Sequence, residues 1–235
     1  MRNKSTSNKP EIATDDTRTI ILNAALEIFS REGAAGARTE EIARAAGVNK
    51  ALLYYYFKDK DALLGAVIEH AMGQAFPRLM AAIDTAKTPR EQLLTYINQH
   101  FDRIAAKPHI SRLIQYEILR AAEGEAGHMP LIAKRFNLPL LERIQRIVED
   151  GIRSGDFVEI DARQAALSIV SIVVFYFMTA PVFKLVTGLD PYAPASLSKR
   201  KGAVIDFVSH ALFTPESREK AKKKNQKGKS GERKK

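Results

Sequence analysis

Between Lys50 and Tyr56 the chain reads KALLYYY. Wound as a helix, this heptad sends Leu53 and Tyr54, with Phe57 just beyond, to one side, and Ala51, Leu52, Tyr55 and Tyr56 to the other. The second side is a poor surface for water but a good one for the major groove of DNA. Ala and Leu can touch thymine methyl groups, tyrosine hydroxyls and Lys50 can reach phosphates, and Lys50 can instead reach guanine O6 and N7. A helix buried on both sides by a larger domain would show the same pattern. Other chemistry is scarce. Cysteine is absent, which removes disulfides, thiolate nucleophiles and cysteine-ligated metals. The five histidines show no i, i+4 pair to grip a metal, no G-x-S-x-G elbow occurs, and Gly228-Lys229-Ser230 lacks the strand and helix of a phosphate loop. No catalytic residue, metal or cofactor is therefore expected.

The elements that must hold the heptad are short helices. Apolar residues recur at helical spacing almost throughout and period-two alternation is nearly missing, so the chain reads as all-α. A first helix is expected from about Asp16 to Glu32, with Leu22, Ala25, Ile28 and Phe29 inward and Gly33 ending it. Thr39 is placed to N-cap a second helix carrying Glu40 and Glu41 in its first turn, and Gly47 stops it. Asn49 caps the helix of the heptad, and Asp59 caps a fourth beginning at Lys60, which Gly73 and Pro77 should bend or end. Only Gly47, Val48 and Asn49 separate the second helix from the third. A connection that short, with glycine in it, is that of a helix-turn-helix.

Residues 20–68, with IILNAALEIFSREG followed by RTEEIARAAGVNKALLYYYFKDKDALLGAVI, resemble the N-terminal DNA-binding domain of the tetracycline-repressor (TetR) family. The likeness runs over about fifty residues and joins a helix-one core, the AGV turn, the LY-YF run and the K-K--L that follows. It implies phosphate contacts from Thr39, Tyr54, Tyr56 and Lys60, groove contacts from Lys50, Ala51, Leu52 and Tyr55, and Asn49 at the head of the recognition helix. Asn49, Ala51 and Leu52 depart from the family's usual Ser or Thr, Gly and small polar residue, which touches operator sequence more than docking. The resemblance further implies a homodimer bound to a palindromic double-stranded operator. A small-molecule effector would act through the second, larger helical domain.

That second domain shows longer helices. Thr88-Pro89-Arg90-Glu91 is a capping box opening a helix to about Ala106. Another follows from His109 to Glu123, then one from Pro130 to Ser154 broken by Pro139, one opened by Asp161 that runs to Gly188, and a last from Leu197 to Phe213. Leu93, Ile97, Phe101 and Ile104 form one apolar stripe with His100 beside it, and Glu117 falls within another. A carboxylate on such a stripe needs a partner. Tyr96, His100, Gln115, Tyr116, Glu117 and Tyr176 are accordingly the polar groups expected near a ligand pocket, although polar residues on a stripe can equally sit at its wet edge.

Residues 165–183 hold no charge and are apolar around the whole helix. A bilayer would bury such a segment, and so would a dimer interface. Ser168, Ser171, Thr179 and Pro181, with the cap at Asp161, favour the interface. Homodimerisation is expected through helices near 162–187 and 197–213, with Val204, Ile205, Val208 and Leu212 completing a four-helix contact.

The domain boundaries read as an N-terminal disordered arm (1–14), the helix-turn-helix domain (15–70), the ligand-binding and dimerisation domain (71–214) and a basic disordered tail (215–235). Most of the net charge of +10 over 235 residues lies in that tail, where ten Lys/Arg face three Glu. It either solubilises the chain or touches DNA phosphates without sequence preference. Residues 1–10 are polar with no apolar core of a secretory signal, so cytoplasmic residence without a membrane is expected. The functional expectation is a ligand-responsive DNA-binding regulator, a repressor by family habit. A membrane-anchored helical regulator and a ligand-binding protein without DNA recognition are the alternatives.

Overall fold

The structure, a computed structural model, describes residues 14–125 and 127–219. It divides into two compact units between Ala71 and Met72. Among the described residues no β-strand occurs, only an isolated bridge between Phe157 and Phe213.

The first unit comprises α1 (Thr14–Gly36), α2 (Thr39–Ala45), α3 (Lys50–Tyr56) and the start of α4 (Lys60–Thr85). Leu22, Ile28 and Phe29 of α1 are buried, as are Ile42 of α2, Leu53 of α3 and Leu63, Val67 and Ile68 of α4. Gly33 breaks α1 with φ 75° and ψ 173°, a backbone state open essentially to glycine alone, after which one further turn reaches Gly36. The end of α2 is a Schellman turn. Gly47, at φ 67°, donates to the Arg44 carbonyl (3.1 Å) and Val48 to the Ala43 carbonyl (2.9 Å). This reversal leaves Asn49 free to begin α3, and its Oδ1 accepts from the Leu52 amide at 2.7 Å. Asp59 does the same for α4, accepting from the Ala62 amide at 2.7 Å. Thr39 does not cap α2 as expected. Arg38 holds the cap position without a side-chain bond, and Thr39 is the first helical residue, its hydroxyl 3.2 Å from that of Tyr54.

The second unit contains the end of α4, then α5 (Pro89–Ala106), α6 (Pro108–Ala122), α7 (Met129–Ile132), α8 (Leu138–Arg153), α9 (Ala162–Met178), α10 (Ala180–Thr187) and α11 (Pro194–Leu212). One core joins Leu93, Ile97 and Phe101 to Ile144, Ile147 and Val148, to Ile169, Val173 and Phe177, and to Val204, Val208 and Leu212. Thr88 and Asp161 cap α5 and α9 through bonds from the Glu91 amide (3.2 Å) and from the Arg163 and Gln164 amides (2.9 and 3.0 Å).

Four expectations are corrected here. Of the two outcomes expected of Pro77, ending the helix does not occur, since α4 runs on to Thr85; the residue whose carbonyl the proline ring crowds is Gly73, where the backbone gives most easily. The helix expected over 130–154 is two helices joined by a π-helical turn, Ala133–Asn137, set just before Pro139, which has no amide to continue the α pattern. The segment expected to be one helix up to Gly188 is broken at Thr179, where α9 and α10 meet at 65° because Pro181 cannot donate back into α9. Disorder from residue 215 onward is also wrong for its first part. Residues 215–219 are helical and Ser217 is buried, accepting from Arg90 through its carbonyl (3.5 Å) and hydroxyl (3.4 Å). The arm at 1–13 and the rest of the basic tail, 220–235, lie outside the described residues.

Among the described residues no single helix is long and apolar enough to cross a membrane. The bent pair α9 and α10 meets that test only when the two are joined.

Candidate nucleic-acid interface and ligand site

The unusual surface of α3 follows from its anchoring. Leu53 is fully buried and Phe57 nearly so, which fixes the roll of the helix and sends the opposite face to solvent. Ala51 is exposed, Leu52 and Tyr56 are half-buried, and Tyr55 is 78% exposed, its ring touching Tyr56 edge-on at 5.4 Å. Tyr54, which the helical wheel turned inward, stands between the two faces. Its ring lies 5.8 Å from the Lys50 ammonium and its hydroxyl meets Thr39. Two helices of the motif are thereby pinned at their outer edge as well as through Leu53.

Charge on this face is balanced within the unit. Lys50 forms an ion pair with Glu40 at the start of α2. The hydrogen bond raises the lysine's pKa and lowers the carboxylate's. Arg31 pairs with Glu32 and with Glu41 at 2.7 and 2.5 Å. Lys60 is committed to the fold, donating to the Ala35 (2.9 Å) and Ala37 (3.0 Å) carbonyls behind α2. Thr39 is buried and its hydroxyl is already engaged. Of the nine residues singled out for DNA, Lys50, Ala51, Leu52, Tyr54, Tyr55 and Tyr56 thus share α3, Asn49 heads it, and Thr39 and Lys60 brace it. Glu40 was missed. It lay in the sequence as a first-turn acid, and only the folded turn shows that it faces Lys50.

In the second unit the six polar residues expected near a pocket separate into four groups. Glu117 is completely buried and fully engaged: one oxygen pairs with Arg120 (3.0 Å) and the other accepts the His128 amide (2.7 Å), tying down the loop after α6. Gln115 donates to the Met178 carbonyl at 3.1 Å, where α9 ends, and Tyr116 lies exposed beneath Arg120. Tyr176 is buried with its hydroxyl on the Pro191 carbonyl (2.7 Å) and Arg200 above its ring.

Tyr96 and His100 form the fourth group, stacked at 5.2 Å on α5. Arg103 joins them, donating to His100 Nδ1 at 2.7 Å. Burial, with the Arg103 charge acting in the same direction, pushes the His100 pKa down to about 3, so the ring is neutral. The Tyr96 hydroxyl is buried and has no hydrogen-bond partner among the described residues. Arg103 was missed by sequence reading, though it lies three residues past His100 on the same face.

The family described as bacterial regulatory proteins, tetR family, matches residues 21–67, and the tetracyclin repressor-like C-terminal domain matches residues 89–208. The chain is 30% identical over 186 residues to the HTH-type transcriptional regulator RutR of Escherichia coli, covering 78% of this chain and 84% of that one. It is 29% identical over 146 residues to a fatty acid metabolism regulator protein of Bacillus subtilis, covering 62% and 73%. The crystal structure of the transcriptional regulator FadR from Bacillus subtilis, solved with stearoyl-CoA, superposes with a TM-score of 0.65 at 25% identity, covering 81% of this chain and 96% of that one. Both units and both matched regions point the same way: the chain belongs to the TetR family of ligand-responsive, DNA-binding transcriptional regulators, and is not an enzyme.

Proposed function

We propose that this regulator is a cytoplasmic homodimeric repressor that holds an imperfect palindrome with two α3 helices and leaves it when a small molecule enters the larger domain. The observation that carries the reading is the outward face of α3, where Ala51 and Tyr55 stand in solvent while Leu53 is locked in the core. In this reading Lys50, Ala51, Leu52 and Tyr55 meet base edges, and Tyr54, Tyr56, Lys60 and Thr39 contact or brace phosphate contacts, with Asn49 setting the helix. Lys50 exchanges Glu40 for DNA on docking. Residues 15–70 form the DNA-binding domain and 71–214 the effector and dimer domain.

Support for pairing comes from the apolar residues that α9, α10 and α11 leave uncovered. Phe175 is 59% exposed, Leu185 86% and Phe207 66%. The small residues Ser168 and Ser171 beside Phe175, and Gly202 and Ala203 beside Phe207, would let helices of two copies approach closely. The sequence-derived choice of Val204, Val208 and Leu212 for this contact is replaced, since all three are sealed in the protomer's own core. The effector acts through α4, which begins at Lys60 in the first unit and ends in the second. The coupling needed is typically about 1–3 kcal/mol.

The double substitution Phe175→Glu with Phe207→Glu tests the reading. Sedimentation velocity should show a monomer of unchanged helix content, and operator affinity should fall about a hundredfold or more because two half-sites are no longer engaged together. A dimer that persists would place the interface elsewhere.

A further inference from the structure

Resting on the effector reading above, we infer that the ligand of the larger domain is a carboxylate on an apolar body, received by Arg103 together with Tyr96 on one face of α5. Residues 96, 100 and 103 stand at i, i+4 and i+7, so their side chains share one side of that helix. Tyr96 is fully buried and His100 almost so. Among the described residues, two of the polar atoms in this group find no hydrogen bond, the Tyr96 hydroxyl and Arg103 Nε. Such orphans are costly in a finished core, and both are donors.

Arg103 is the decisive member. Burial lowers its pKa, the only opposing influence is the neighbouring Tyr96, and among the described residues no carboxylate pairs with it. Its place in the last turn of α5 lets the helix dipole help, but supplies no counter-ion. One terminal nitrogen is spent on His100 Nδ1, which the neutral ring offers as an acceptor. This bond holds the guanidinium in place and leaves Nε, itself buried, without a partner among the described residues. A planar carboxylate is the group that a guanidinium fork and one hydroxyl donor satisfy together. A cationic effector would be repelled, and a neutral one would leave the guanidinium uncompensated. The neighbours on α5 are Leu93, Ile97 and Phe101, all buried in the core, so the group is set in hydrocarbon and suits a ligand whose body is apolar.

Titration calorimetry on the full chain tests this, with decanoate and phenylacetate as probes and the matching neutral alcohols as controls. At least one carboxylate should bind, and its alcohol at least tenfold more weakly. Arg103→Gln should weaken that carboxylate tenfold or more and leave the alcohol unaffected. Tyr96→Phe should weaken it severalfold while raising the melting temperature of the free protein, because an unsatisfied hydroxyl is removed. If Arg103→Gln fails to fold, Tyr96→Phe decides. The inference is overturned if neither carboxylate binds, if the alcohols bind as well, if Arg103→Gln or Tyr96→Phe leaves carboxylate affinity unchanged, or if Tyr96→Phe destabilises the free protein. The same preparations are assayed for operator binding: loss of carboxylate binding with operator binding intact sinks this inference alone, whereas absence of operator binding sinks the reading on which it rests.

Discussion

Tyr55→Ala lowers operator affinity by roughly ten- to a hundredfold at fixed salt while the thermal unfolding midpoint stays within a degree or two of the parent. The magnitude takes about 1 kcal/mol, the low end of what a lost groove contact costs, incurred once in each half-site. The insensitivity of the fold follows from burial. Tyr55 is 78% exposed and, among the described residues, its one ring contact is the edge of Tyr56. Leu53, two residues earlier, is fully buried, so Leu53→Ala would instead remove core packing at about 2–5 kcal/mol and lose DNA binding by unfolding the unit. Fluorescence anisotropy with labelled operator, read beside a melting curve, separates the two cases. A Tyr55→Ala protein that binds operator like the parent would take α3 out of the groove.

Gly151→Ala lowers stability, against the ordinary effect of that change in a helix. In an ordinary helix the change would stabilise by up to about 1 kcal/mol. At this position the added Cβ would lie 2.2 Å from Cδ2 of Phe157 and 2.5 Å from its Cγ and Cε2. The ring has nowhere to go. It stacks on Phe213 at 5.1 Å, Phe213 lies beneath the Arg90 guanidinium at 4.1 Å, and the backbone is held by Phe157 N–H to the Gly151 carbonyl (2.9 Å) and Val158 N–H to the Leu212 carbonyl (2.8 Å). Overpacking of this kind costs about 1–3 kcal/mol or more, or roughly 2–4 °C of melting temperature per kcal/mol in a chain of this size. Calorimetry should therefore show a fall of several degrees. An unchanged or raised midpoint would mean that the turn at 154–158 is not held as described.

These two positions show which parts of the structure the sequence discloses. Asn49, Asp59, Thr88 and Asp161 act on amides two or three residues away, and such local caps are readable because chain and partner are neighbours in sequence. The KALLYYY surface was readable for a similar reason, since the roll of a seven-residue helix is set by Leu53 and Phe57. Long-range packing was not. Apolar spacing marked Val204, Val208 and Leu212 as a buried stripe, but could not say whether α5 and α9 or a second copy covers them, and the protomer's own core does. Nor could it show that Pro77 is carried within a continuous helix while Pro181 marks a sharp corner, because neighbouring elements decide whether a lost amide ends a helix. The polar residues near the expected pocket are mixed for the same reason. Glu117 finds Arg120 and a loop amide, whereas Tyr96 finds nothing, and only tertiary structure separates a satisfied group from an orphan.

The central claim is that two copies present α3 to successive major grooves. Hydroxyl-radical footprinting of the wild-type protein on the DNA upstream of its own gene examines it directly. The account predicts protection on one face of the duplex in two patches related by an imperfect palindrome, with centres about one helical turn (~34 Å) or a multiple of it apart, both vanishing together as protein is diluted. A single protected half-site saturated by one chain, or protection that follows the DNA without regard to sequence, would contradict it.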